Sequence, residues 1–166
     1  MGTMPHSRTL PGLVDEMASR FPDRDFIAYN GEHVSYSEFR RRVRQLAAGL
    51  LALGVRKGSK VALLMGNQTE WLVVTFATTM LGATLVAMNS WWRHRELEYA
   101  LSFSEAEVLV LCDKYGETNY ISTLEQIRDQ VEKLPDLRHV ISLSSSGAGY
   151  ENTLRYDDVL ALGGDH

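Results

Sequence analysis

A single cysteine, Cys112, rules out an internal disulfide, so the fold must be held by packing rather than by covalent bridges. Positive charge is also scarce. The chain carries 17 Lys and Arg against 21 Asp and Glu, a net charge of −4 at neutral pH, which argues against the basic face that nonspecific nucleic-acid binding requires. No apolar run reaches the roughly 18 residues that a bilayer-spanning helix needs. The stretch Met1–Thr9 has no apolar signal-peptide core and is expected to be disordered or tag-like.

Motifs that would announce a chemistry are missing too. No strand is followed by Gly-x-Gly-x-x-Gly, and Gly54 to Lys60 has glycine and lysine at the wrong spacing for a phosphate-binding P-loop. His94-Arg95-Glu96 resembles the start of a zinc-deaminase signature, but no Pro-Cys-x-x-Cys follows. There is no Gly-x-Ser-x-Gly elbow. One cysteine and five scattered histidines offer no metal-ligand spacing, so no metal-binding, cofactor-binding or catalytic residue is expected within the chain.

What is present is periodicity. The 166 residues, 45% of them apolar, suit one globular domain. Leu10, Leu13, Val14, Met17 and Phe21 step at helical spacing after a capping Thr9. Asn30-Gly31 between Phe26–Tyr29 and Glu32–Val34 predicts a two-residue hairpin. Ser35 and Glu38 form a capping-box pattern ahead of a helix that ends at Gly54.

Beyond it, short apolar runs alternate with helical stretches. Residues 61–65, 84–88, 108–112 and 140–143 read as strands buried on both faces; 68–81, 94–103 and 119–133 read as helices. This alternation predicts an α/β fold of three layers, with a mainly parallel sheet, helices on both faces and a small antiparallel hairpin. Residues 10–143 are expected to form that unit, and 144–166 a flexible loop and chain end.

Several side chains invite a functional reading, each beside a simpler one. Asn67 is expected to cap the 68–81 helix with Glu70 closing the box. The cluster Arg40, Arg41, Arg42 and Arg44 reads as a solvated helix face. Asp113 reads as a loop or capping residue, and Cys112 as a small buried hydrophobe. Trp91, Trp92 and Arg93 follow a strand end. They are either a partner or edge contact or ordinary packing against the sheet.

The order of the pieces resembles a known superfamily. Val34-Ser35-Tyr36-Ser37-Glu38-Phe39 is similar to the opening of adenylate-forming enzymes. Ala47–Leu50, Gly54–Ala62, Asn67–Trp71 and Met80–Val86 continue the likeness, and Met88-Asn89, Arg95–Leu101 and Ala106–Val110 complete it. The Asn89–Arg93 stretch is similar to acyl-CoA synthetases, although Ala87 stands where proline is usual.

For the complete enzyme, the resemblance implies ATP, Mg and CoA as cofactors or co-substrates and a fatty or cyclic carboxylic acid as substrate. It implies a location in the cytoplasm, with peripheral membrane association. The expected reaction is acyl-adenylate formation followed by thiol transfer. The family's phosphate loop and its later acidic, arginine and lysine residues do not occur in 1–166. The chain is therefore expected to be an inactive N-terminal segment whose partner is the remainder of the synthetase, and to self-associate through exposed sheet edges. A non-catalytic binding or scaffold module, or an unrelated small α/β ligand-binding domain, remains the alternative.

Overall fold

The computed structural model describes residues 4–128, 134–143 and 153–164. Helix α1 (Leu10–Arg20) leads to a hairpin of β1 (Asp25–Tyr29) and β2 (Glu32–Ser35), then to the long helix α2 (Tyr36–Ala52). Alternation follows: β3 (Lys60–Leu64), α3 (Thr69–Met80), β4 (Thr84–Ala87), α4 (His94–Ser104) and β5 (Val108–Leu111). A second, very short hairpin, β6 (Lys114–Tyr115) and β7 (Thr118–Asn119), precedes α5 (Tyr120–Arg128). The chain continues with β8 (His139–Ser142), β9 (Thr153–Arg155) and α6 (Tyr156–Leu162).

Five strands form one sheet in the order β4-β3-β5-β8-β9, parallel throughout. Successive side chains alternate between its faces. Val61, Leu63, Val108 and Val110 enter a first core with α1, α2, α3 and α6, whereas Ala62, Leu64, Leu109 and Leu111 enter a second with α4 and α5. Central strands buried on both faces explain the uninterrupted apolar runs. The expected three-layer α/β architecture is present.

Local chemistry accounts for the element ends. Thr9 Oγ1 accepts the Gly12 N–H at 3.2 Å and starts α1. Asn30 and Gly31 take φ of 49° and 81°, as their hairpin turn requires. At the end of α2 the Val55 N–H donates to Leu50 O and the Gly54 N–H to Leu51 O, with Gly54 at φ 94°. This is a Schellman motif, and glycine takes its left-handed position without steric cost. Gly49 has a different role. A Cβ there would lie 2.1 Å from the Val159 carbonyl oxygen, so glycine lets α6 lie directly on α2.

Several expectations need correction. Strand β4 is not buried on both faces: it is an edge strand with Thr84 and Ala87 exposed. The capping box at α2 is half made. Ser35 Oγ accepts the Glu38 N–H at 3.2 Å, while the Glu38 carboxylate turns to Arg41 and Arg42. The N-cap of α3 is Gln68, not Asn67, and its side chain does not cap. Residues 153–164 form a fifth strand and a packed helix where a loose chain end was expected. The His6 and Ser7 N–H groups donate to the Glu16 carboxylate, tying the start of the chain to α1. The expected helical residues 129–133, the loop 144–150 and residues 1–3 lie outside the described residues.

Candidate functional site at the carboxyl edge of the sheet

Strands β3 and β5 are neighbours, yet the chain leaves them in opposite directions. After β3 it enters α3 in the first layer, and after β5 it enters α5 in the second. Such divergence opens a crevice at the carboxyl ends of a parallel sheet, where α/β proteins place ligands. The loops after β3, β4 and β5 meet there. The Tyr115 ring lies over Gly66, so close that a Cβ on Gly66 would sit 2.1 Å from the ring. Trp91 meets Tyr115 edge-on, with centroids 6.1 Å apart and planes at 85°.

Hydrogen bonds fix these loops. The Tyr120 hydroxyl donates to the Ser90 carbonyl at 2.5 Å, joining the start of α5 to the residue before Trp91. Burial pushes the Tyr120 phenol up to about 12, so it stays a donor. Ser142 Oγ donates to the Asp113 carboxylate, and the Asp113 carbonyl accepts the Tyr120 N–H at 2.9 Å. Asp113 therefore anchors loops. Burial also raises the Cys112 thiol above its ordinary value, which disfavours the nucleophilic thiolate.

The three residues singled out in sequence separate here. Trp91 is 79% exposed. Trp92 turns inward and packs on the second core. Arg93 is the exposed N-cap of α4, its N–H donating to the Glu96 carboxylate at 3.2 Å. With His94, Glu117, Asn119 and Ser122 it lines an open groove of about 440 Å³. Tyr115, which organises the crevice, was not anticipated. Its strand is two residues long and leaves no periodic signal; Gly116 at φ 59° is the only local mark of a turn.

Three of the four arginines in the basic cluster of α2 form ion pairs on its solvated face. Arg42 bridges Glu38 at 2.8 Å and Glu32 at 2.9 Å; Arg41 binds Glu38, and Arg44 binds Asp15. Hydrogen bonds from Arg41, ahead of those from Arg42, lower the Glu38 carboxyl to about 2. Glu32 is held below the ordinary carboxylate range first by the Thr69 hydroxyl and then by Arg42.

The described residues do not build a cradle for a nucleotide triphosphate. The glycine loop after β3 is covered by Tyr115, and Gln68 makes no cap. Lys60 begins β3 at the opposite edge of the sheet and pairs with Glu105. No group of three His, Cys, Asp or Glu that could hold a metal ion occurs among the described residues.

The described residues thus form a three-layer α/β unit with aromatic loops gathered at the carboxyl edge of its parallel sheet. Comparison with known proteins gives its kinship: residues 14–161 match the AMP-binding enzyme family, and the chain belongs to it. It is 31% identical over 169 residues to "Medium-chain acyl-CoA ligase ACSF2, mitochondrial" of Bos taurus, which covers 95% of this chain and 27% of that protein. The N-terminal domain of FACL13 from Mycobacterium tuberculosis superposes with a TM-score of 0.77 at 22% identity, over 93% of this chain and 36% of that one. The anthranilate CoA ligase AuaEII gives 0.78 at 22% identity, over 95% of this chain and 28% of that one. The chain spans about a quarter of the length of the curated relatives it matches.

Proposed function

We propose that this chain is the N-terminal part of an ATP-dependent, AMP-forming acyl-CoA synthetase and is catalytically silent by itself. In the complete enzyme a carboxylate attacks the α-phosphate of Mg-ATP, giving acyl-adenylate and pyrophosphate. The CoA thiol then attacks the acyl carbon and releases AMP. Two anions must be brought together in the first step, so positioning and charge stabilisation carry the rate.

The observation that supports this reading is the family match across 14–161, in a chain that covers about a quarter of its acyl-CoA ligase relatives and lacks a phosphate cradle among its described residues. The chain's contribution is to hold the carboxyl-edge loops rigid and to give the remainder of the synthetase a surface to pack on. A fatty or cyclic acid is the substrate class. The lone free Cys112 suits a reducing cytoplasm, and no helix among the described residues is long and apolar enough to cross a membrane.

Two measurements test the proposal. The purified 166-residue chain, given Mg-ATP, CoA and octanoate, should release no pyrophosphate and form no acyl-AMP by mass spectrometry; acyl-AMP would refute catalytic silence. The protein encoded by the reading frame continued past His166 should form acyl-CoA with one pyrophosphate each. A frame with no phosphate loop would refute the synthetase reading in favour of a scaffold module.

A further inference from the structure

We draw no further inference here: the strongest candidate, the apolar groove that Leu13, Val14 and Met17 of α1 form with Phe26 of β1, Tyr36 of α2 and Phe76 of α3, carries none because nothing in the structure shows what covers it.

Discussion

The two layers that cover the sheet are built differently. The first, with α1, α2, α3, α6 and the β1–β2 hairpin, interlocks aromatic rings: Phe26 lies 4.6 Å from Phe39, and Phe39 meets Phe76 edge-on at 5.3 Å. Ion pairs then tie its elements together, with Arg42 joining α2 to β2 and Arg44 joining α2 to α1. The second layer, α4 and α5, packs the aliphatic Leu97, Leu101, Leu124 and Ile127 with the buried Tyr120 and the half-buried Trp92. The most exposed aromatics of the described residues, Trp91, Phe103 and Tyr99, all belong to it or to the loop that enters it. The difference teaches a division of labour: the first layer supplies cohesion and the second supplies surface.

The hardest test of that division compares one deletion in each layer. Phe39 is fully buried and touches two other rings. Phe39→Ala should cost about 4 kcal/mol, a large share of the stability a domain of this size has. Leu101→Ala, at 2% exposure in the second layer, should cost about 2 to 3 kcal/mol. Urea titrations followed by circular dichroism give both values, and a larger loss at Leu101 would break the comparison.

The layers were not equally legible in sequence. Strands β3, β5 and β8 were readable because burial on both faces writes itself as an unbroken apolar run. The same rule misplaced β4, since Thr84 to Met88 is equally apolar and composition does not separate an edge strand from a central one. Strand β9 (Thr153-Leu154-Arg155) has no such run and is recruited by pairing with β8. Within the candidate site the Trp91–Trp92 pair was visible, but which ring turns inward is decided by how its loop is fixed to Asn89 and Tyr120. Tyr115 over Gly66 was invisible, because it arises from loops 49 residues apart meeting at one edge.

Gly49 sharpens the comparison, because it shows how tightly the first layer is closed. Alanine in mid-helix normally gains up to about 1 kcal/mol over glycine. Here the added methyl would meet the Val159 backbone at 2.1 Å and lift α6 from α2. Gly49→Ala should therefore destabilise by about 2 kcal/mol net. Amide hydrogen exchange should show protection lost across 156–162 before the sheet opens. A stabilised variant would mean that α6 moves freely, and the first layer would lose its claim to cohesion.

The smallest expected effect concerns the charges that bind the first layer. Arg41 and Arg42 hold the Glu38 carboxyl at about 2, below its value of 4.5 in an open chain. A carboxyl whose pKa falls on folding adds stability above the unfolded value and surrenders it as pH drops through the folded one. Glu38 is 33% exposed, so water screens the shift and the usable contribution is about 1 kcal/mol. Glu38→Gln should then lower stability by about that amount at pH 7. The gap between wild type and variant should narrow from about pH 4.5 and close towards pH 2, and should shrink in 1 M salt. An equal gap at every pH would show that shape rather than charge makes the contact, leaving the aromatic cluster alone to hold the first layer.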